Sequence, residues 1–254
     1  MPPTSTLLFQ PRQRIVIIGD SITDCGRRDR ATAPYGNGYV ALVRALLLAC
    51  HPTLSLEVVN RGIGGDTIRD LEGRWDRDAI AERPDWLSVM IGVNDAWQPL
   101  AGNAAKGVPL EAYEHTYRRL LEAARDRTAA RLILMEPFVM APPVPDDEDL
   151  PAATSAWDVR RVLPTLAPGR RERENTAFMA RLRRILDGYG EVVRRLAGEY
   201  DAVLVRTQAA FDEAIAAQPP AVWGDEQNDQ VHPGLAGHAV IARCFLRAVG
   251  YGDL

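Results

Sequence analysis

Five short apolar runs, each separated from the next by a longer segment, constrain the fold of this chain most strongly. Apart from Glu57 and Ser88 the runs are apolar throughout rather than alternating, which is typical of strands buried on both faces of a sheet. Such strands occur where helices cover both faces, so the pattern favours a mostly parallel sheet. The predicted strands are Ile15–Ile18, Leu56–Val59, Trp86–Ile91, Leu132–Met135 and Ala202–Val205.

The segments between and after these runs carry apolar residues at helical spacing. The predicted helices are Tyr39–Cys50, Ile68–Ala81, Leu110–Arg127, roughly Asn175–Glu199, and Leu235–Val249. A length of 254 residues fits one large α/β domain or two small ones. We predict a single domain over residues 1–254, of the α/β class, with three α/β/α layers and a sheet of about five parallel strands.

Charge and composition narrow the classes of partner. The chain has 34 acidic and 30 basic side chains and a formal net charge of −4. Much of the basic charge is Arg interleaved with Glu, so nucleic-acid binding is disfavoured. No apolar run reaches the ~18 residues that would span a bilayer. The start, MPPTSTLLFQPRQR, lacks the features of a secretion signal. Cys25, Cys50 and Cys244 are too scattered for a disulfide framework, and we expect a soluble cytoplasmic protein.

A proline-rich stretch from 141 to 173 interrupts the strand–helix rhythm. It contains APPVPDDEDLP and mixed charge runs, and compact domains rarely hold a loop of this length without a role. The sequence leaves three interpretations open: a lid over a site, an arm that joins copies into a homo-oligomer, or a passive disordered insert.

The first two strand ends carry distinctive residues, and ligands of such sheets bind outside the carboxyl ends of the strands. The first end reads Gly19-Asp20-Ser21 and presents a small hydroxyl, although Asp and Ser are also good helix caps. The second leads into VVNRGIGGDTIRDL, which contains neither GxxxxGK[ST] nor GxGxxG. Nucleotide phosphate binding is therefore disfavoured. Backbone N–H donors for an oxyanion, or an ordinary strand–helix turn, are the two interpretations left.

The third and fourth strand ends supply an amide and an acid–base pair. Asn94 follows the predicted strand in MIGVNDAW, where its amide could donate to an oxyanion or form an Asx-turn. DQVHPGLAGH places Asp229 three residues before His232. In that arrangement the carboxylate can accept from one imidazole nitrogen while the other faces a hydroxyl. Jointly, the four ends supply the parts of a serine nucleophile site.

With these residues identified, the chain resembles the SGNH hydrolases, also called the GDSL family of esterases and lipases. The four blocks of that family are matched by GDSIT, NRGIGGDT, GVND and DQVH. The further stretches GNGYV, PDWLSVMIGVNDAW and VHPGLAGHAVIARCFLR are similar to the branch that contains intracellular acetylxylan esterases. The resemblance covers most of the chain from about residue 14 onwards and lapses over 141–173. It implies that the predicted three-layer α/β/α fold has a flavodoxin-like sheet.

The resemblance implies a role for each matched residue. Ser21 is the nucleophile, His232 the base and Asp229 the orienting acid. The oxyanion hole consists of the N–H groups of Ser21 and Gly65, the glycine five residues after the leading Asn of its block, and the amide of Asn94. No cofactor and no metal are implied. The stretch between Trp223 and Asp229 is longer than usual in the family, which leaves Asp225 as a second candidate for the acid.

The implied activity is removal of acetyl groups from acetylated sugars such as xylo-oligosaccharides. Alternatives are a broad short-chain carboxylesterase, a lysophospholipase, a thioesterase, and a non-catalytic carbohydrate-binding module on the same fold. A Cys25 nucleophile is disfavoured because no base can be assigned to it. Candidate substrate contacts are Asp20, Tyr35, Tyr39, Trp97 and Trp223, although aromatic residues at such places also belong to cores or interfaces.

Overall fold

The computed structural model describes residues 7–145, 168–225 and 230–251, and five strands within them form one sheet. Every neighbouring pair of strands is parallel, and the order across the sheet is β2-β1-β3-β4-β5. The strands are β1 Arg14–Gly19, β2 Glu57–Gly62, β3 Trp86–Met90, β4 Arg131–Met135 and β5 Val203–Val205. This order is flavodoxin-like, and the predicted fold class is confirmed.

Helices connect the strands and cover the sheet. Those in the described part of the chain are α1 Ser21–Asp24, α2 Tyr39–Cys50, α3 Ile68–Trp75, α4 Val93–Leu100, α5 Leu110–Arg127, α6 Pro168–Glu199, α7 Thr207–Ala217 and α8 Leu235–Ala248. A π-helical turn, Asp76–Ile80, extends α3. Short 3-10 turns lie at Pro52–Leu54, Ala104–Lys106 and Pro220–Val222. None of the helices in these ranges is long and apolar enough to cross a membrane.

The core lies between the sheet and two groups of helices. One group packs α2 and α7 against α8, and the other packs α3 and α6 against α5. Ile15, Val16, Ile17 and Ile18 of β1 are all 0% exposed, so the strand is covered on both faces. Burying each such side chain stabilises the fold by about 1.5–3 kcal/mol. The apolar runs of the three central strands, β1, β3 and β4, therefore lie in the interior of a three-layer structure, whereas the edge strands β2 and β5 are only partly buried.

The element boundaries agree with the sequence-based prediction to within one residue, with three differences. Strand β2 continues three residues beyond the predicted end at Val59, to Gly62. The predicted helix Ile68–Ala81 is α3 followed by the π-helical turn. The last long helix before β5 begins at Pro168, seven residues before the predicted start at Asn175. The short helices α4 and α7 were not predicted. Pro99 inside α4 interrupts the helical signal there, and both helices are too short for a clear period.

The two ends of the predicted insert belong to the folded domain. Ala141 is 1% exposed, and its carbonyl accepts a hydrogen bond from the Arg183 guanidinium at 2.8 Å. Residues 168–173 lie in α6. Residues 146–167 are outside the described residues, so a lid or an oligomerisation arm stays a prediction.

The carboxyl ends of β1, β2 and β3 meet because the strands are in register there. Gly19 lies opposite Gly62 on one side and Met90 on the other. Gly62 allows the close approach of the turn after β1, since a Cβ added to it would lie 2.1 Å from the backbone nitrogen of Asp24. Three of the four strand ends singled out in the sequence are thus brought to one edge of the sheet.

Candidate active site

Ser21 is held at the sheet edge by a single helical turn that begins directly after β1. Asp20 caps this turn, and its Oδ1 accepts a hydrogen bond from the backbone N–H of Ile22 at 3.0 Å. The backbone N–H of Cys25 closes the turn on the Ser21 carbonyl at 3.0 Å. Asp20 and Ser21 therefore do form a helix start, as the structural interpretation of GDS predicts, and the start presents the Ser21 hydroxyl.

His232 reaches Ser21 from the other end of the chain. The Ser21 Oγ and the His232 Nε2 lie 3.0 Å apart, which is within hydrogen-bond reach for a base acting on a nucleophile. The histidine loop is fixed by an antiparallel bridge between Gly224 and Pro233. Within that bridge the backbone N–H of Asp225 donates to the His232 carbonyl at 3.0 Å.

The predicted acid of the triad lies outside the described residues. Asp229 lies in the gap between 225 and 230, so its role as the orienting acid stays a prediction. Asp225, the second candidate, is described: its backbone is bonded to His232, and it lines the same cavity as Ser21 and His232.

The loop after β2 runs past the Ser21 turn. Gly65 has a φ of +85°, which favours glycine, and no atom lies within 4 Å of a Cβ added there. The neighbouring Gly64 donates its N–H to Asp24 Oδ2 at 3.1 Å, and a Cβ added to Gly64 would lie 3.8 Å from the Ser21 Cβ. The backbone at Gly65 thus faces open space beside the candidate nucleophile.

Asn94 lies in the first turn of α4, after β3, and is partly exposed. One of its amide N–H groups donates to the carbonyl oxygen of Asp66 at 3.0 Å. An amide carries two N–H donors, so the second is left for a ligand. The bond fixes the side chain to the loop that contains Gly65.

Two hydrogen-bonded contacts set the start of α3, directly after this loop. Thr67 and Asp70 form a capping box, in which each side chain bonds to the other's backbone N–H. Asp95, 0% exposed, accepts from the N–H of Ile68 at 3.0 Å. The Gly65 loop is therefore held between α3 and α4.

Burial perturbs the titration of three groups near the site. Burial raises the pKa of Asp20 to about 7, and it also raises the pKa of Asp95 to about 7. Burial lowers the pKa of His238 to about 4, and the nearby charge of His232 lowers it further. The His238 ring is consequently neutral at physiological pH, because its pKa lies well below 7.

Two of the predicted substrate contacts, Tyr39 and Asp20, lie in the interior of the structure. Tyr39 is 0% exposed, and its hydroxyl is bonded to Thr23 Oγ1 at 3.0 Å, so it is a core residue. Asp20 is 1% exposed and is occupied in capping α1. Neither side chain can reach a bound ligand without a rearrangement of the core.

The other aromatic candidates lie outside the described wall of the cavity at Ser21. Trp97 packs edge-on against Phe178, with ring centroids 4.7 Å apart. Trp223 donates its Nε1–H to the Gln218 carbonyl at 3.2 Å and is partly exposed. The Arg44 guanidinium lies over the Tyr35 ring, with the Arg44 Cζ 4.3 Å from the ring centroid. Substrate contact by these residues stays a prediction.

The cavity beside Ser21 and His232 has a volume of about 530 Å³ and contains a second cluster that sequence reasoning missed. Cys25 Sγ lies 3.2 Å from His238 Nε2 and 3.0 Å from Asn37 Oδ1. His238 Nδ1 accepts the backbone N–H of Tyr39 at 3.2 Å, so the ring proton is on Nε2. His238 therefore donates to Cys25 and cannot act as its base.

The chain is similar to known proteins in both its sequence and its structure. The model of the GDSL-like Lipase/Acylhydrolase family matches residues 17–240. An acetylxylan esterase of Geobacillus stearothermophilus is 38% identical over 247 residues, which is 94% of this chain and 94% of that protein. Most of the chain therefore takes part in the similarity.

Two solved structures are similar over nearly the whole chain. Axe2, an acetylxylan esterase from Geobacillus stearothermophilus, matches with a TM-score of 0.78 and 36% identity, over 97% of this chain and 98% of its own. LAE5, an alpha/beta hydrolase enzyme from the metagenome of Lake Arreo, Spain, matches with a TM-score of 0.76 and 34% identity, over 98% and 100%. The resemblance stated from the sequence motifs is confirmed, and the chain belongs to the GDSL-like lipase/acylhydrolase family.

Proposed function

We propose that this protein is a serine esterase that removes acetyl groups from acetylated sugars, with xylo-oligosaccharides as the substrate class. The observation that carries the proposal is the 3.0 Å approach of Ser21 Oγ to His232 Nε2 at the edge of the sheet. In further support, Asn94 is partly exposed and the space around a Cβ at Gly65 is open at the same edge, so both are proposed as the other oxyanion donors. A binding module would have no need of a base directed at a serine.

The substrate class is supported by the relatives. The Geobacillus stearothermophilus protein that shares 38% identity with this chain is an acetylxylan esterase. A further solved Axe2 variant belongs to an acetyl-xylooligosaccharide esterase. Since the identity extends over 94% of both proteins, the same reaction is the most direct assignment for this chain.

In the proposed mechanism, His232 Nε2 takes the hydroxyl proton while Ser21 Oγ attacks the ester carbonyl carbon. The carbonyl oxygen becomes an oxyanion, which the N–H groups of Ser21 and Gly65 and the Asn94 amide stabilise. The imidazolium then protonates the departing sugar oxygen, which leaves an acetyl group on Ser21. Water attacks this ester with His232 as base, and acetate and the free serine are released.

Asp229 is proposed to orient His232 and to stabilise its protonated form. Axe2 variants that each replace one serine, one aspartate or one histidine are catalytic mutants. Their aspartate and histidine are three positions apart, as Asp229 and His232 are here. Asp229→Asn should lower kcat by ~10³–10⁴-fold, whereas Asp225→Asn should change it by less than about threefold. The opposite ranking would assign the acid to Asp225.

The substrate class is tested by acetate release from acetylated xylo-oligosaccharides. The rates are compared with those for longer-chain acyl esters, lysophospholipids and acyl-thioesters, and with those of Ser21→Ala. We expect the highest kcat/KM on the acetylated sugars and no detectable turnover by the variant. Preference for the longer acyl chains would contradict the sugar assignment, and full activity of Ser21→Ala would contradict the esterase.

We also propose a cytoplasmic location. In support, Cys25, Cys50 and Cys244 are all free thiols, which suits a reducing compartment. Homo-oligomer formation stays a prediction from the length of the 141–173 segment. Fractionation of cells that express the tagged protein tests the location. Light scattering of the purified chain tests the oligomeric state.

A further inference from the structure

Arg74 of α3 is a buried arginine whose hydrogen bonds reach two strand ends and the loop between the candidate oxyanion donors. The residue is 7% exposed, although arginine is seldom buried unless it is paired. Its Nε and both terminal nitrogens are bonded within the protein. A charge this deeply buried needs either a stabilising or a functional reason.

The first set of bonds joins Arg74 to the ends of β1 and β2. Its Nη2 donates to the carbonyl oxygen of Gly19 at 2.9 Å, two residues before Ser21. Its Nη1 donates to the carbonyl oxygen of Arg61 at 2.6 Å. One planar group thereby fixes the strand that delivers the nucleophile relative to the strand that precedes the Gly65 loop.

The second set of bonds joins Arg74 to the oxyanion loop itself. Its Nε donates to Asp66 Oδ2 at 2.7 Å. Asp66 follows Gly65 directly, and its carbonyl oxygen accepts the amide of Asn94 at 3.0 Å. The guanidinium therefore contacts Asp66 directly and is linked to Asn94 through Asp66.

We propose that Arg74 is the positioning residue of the oxyanion hole, because its bonds to Gly19, Arg61 and Asp66 set the spacing of the Ser21, Gly65 and Asn94 donors. The inference rests on the proposed function, since it assigns a task within that reaction. Arg74 touches no reacting atom. The planar fork of arginine suits the task, because several donors leave it in fixed directions, whereas a lysine ammonium is a single flexible point.

The network contains its own control. Arg74 Nη1 also donates to Asp78 Oδ2 at 3.2 Å, and Asp78 is 7% exposed, close to the 9% of Asp66. Asp66 and Asp78 are thus two buried carboxylates on one guanidinium. Asp66 is part of the oxyanion loop, and Asp78 lies in the π-helical turn after α3.

The test compares Arg74→Lys, Asp66→Asn and Asp78→Asn in the full-length enzyme, well below the melting temperature of each variant. The measurements are kcat and KM for acetate release and the inhibition constant of a boronic acid, which mimics the tetrahedral oxyanion. We expect Arg74→Lys and Asp66→Asn to lower kcat by roughly 10- to 100-fold, as small misplacements of catalytic groups do. We expect KM within about twofold and weaker boronic acid binding. Asp78→Asn should keep kcat within about twofold.

If Arg74 only stabilises the fold, the variants should differ from the wild type in stability and not in catalysis. Arg74→Lys and Asp66→Asn would then lower the melting temperature and leave kcat and boronic acid binding unchanged, which would overturn the inference. If Arg74→Lys fails to fold, the comparison of Asp66→Asn with Asp78→Asn decides, and equal kcat values for the two would overturn it. A wild-type protein inert on every acetyl ester would instead overturn the proposed function.

Discussion

At the level of single residues, the two N–H donors of the Asn94 amide have different tasks. Its amide donates one hydrogen bond to Asp66, which positions the side chain, and one donor is left for the developing oxyanion. A neutral amide stabilises that charge without adding a competing charge to the site. Because the second donor meets a full negative charge only in the transition state, Asn94 stabilises the transition state more than the bound substrate.

We expect Asn94→Ala to lower kcat by ~10²–10³-fold, which is ~2.7–4 kcal/mol of transition-state stabilisation, with little change in KM. Steady-state kinetics of acetate release measure both constants. The matched control is Asn103→Ala, because Asn103 is an exposed amide bonded to Gln98. An Asn94→Ala enzyme with the wild-type kcat would show that the amide takes no part in catalysis.

Residue contacts were predictable from the sequence where a recognisable motif marks both partners. Ser21 and His232 are 211 positions apart, but GDSIT and DQVH mark them, and their approach was foreseen from those motifs. No motif pairs Cys25 with His238, and His238 lies inside a helix, so that contact was not foreseen. Tyr39 was predicted to contact substrate, whereas the structure buries it, because burial of a helix start depends on packing between distant elements.

At the scale of elements, the turn after β1 depends on the close approach of β2. A Cβ on Gly62 would lie 2.5 Å from the Thr23 carbonyl carbon and 2.1 Å from the Asp24 nitrogen, and backbone atoms cannot move aside cheaply. The side chain of Asn60 adds a bond to the Thr23 carbonyl at 2.7 Å. The end of β2 therefore determines where the Ser21 turn sits.

Gly62→Ala should destabilise the protein by about 1–3 kcal/mol, as overpacking does, and should also lower kcat because the Ser21 turn must shift. Chemical denaturation and acetate release measure the two effects. Gly73→Ala is the control, since nothing lies within 4 Å of its added Cβ in α3. That variant should gain ~0.5–1 kcal/mol of stability. A harmless Gly62→Ala would contradict the close approach.

A histidine from α8 caps the start of α2. Gly38, the residue before α2, has no side chain to cap the helix, and His238 Nδ1 accepts the N–H of Tyr39 in its place. Protonation of Nδ1 would remove this acceptor. The pKa of His238 is lowered to about 4 from a reference value of 6.5, chiefly by burial.

This shift predicts a stability that depends on pH. Between pH 6.5 and 4 the unfolded chain binds the proton and the folded chain does not, so unfolding becomes easier as the pH falls. The loss is at most about 3 kcal/mol. His238→Asn, which keeps an acceptor and does not titrate, should remove this part of the pH dependence. Chemical denaturation at several pH values measures this dependence. The control is His115→Asn, at an exposed histidine, which should leave the pH dependence of stability unchanged. A wild-type slope in His238→Asn would contradict the cap.

Strands were predicted more accurately than short helices, and the reason is physical. A strand buried on both faces needs a nearly continuous apolar run, and Trp86–Met90 is such a run, with Ser88 as its one polar residue and no exposed residue. Helix α4 lasts eight residues and contains Pro99, so its periodicity cannot be recognised. The start of α6 at Pro168 lies in a proline-rich, charged stretch whose composition is typical of a loop.

At the scale of the whole molecule, the sheet order places the ends of β1, β2 and β3 side by side. Alternation of strands and helices predicts a parallel sheet, because parallel strands need crossover connections. The flavodoxin-like order itself came from the resemblance to a family. The fold assembles Ser21, Gly65, Asn94 and His232 from four separate segments of the chain, and no local pattern sets their distances.

During turnover, we expect Ser21 to carry the acetyl group of the substrate as a covalent ester. The most direct measurement is mass spectrometry of the intact protein and its Ser21 peptide, after rapid acid quenching with an acetylated xylo-oligosaccharide. We predict one acetyl group per chain, located on Ser21 and absent from Ser21→Ala. Quenched enzyme that turns over substrate and yet carries the acetyl group on another residue, such as Cys25, would show that Ser21 is not the nucleophile.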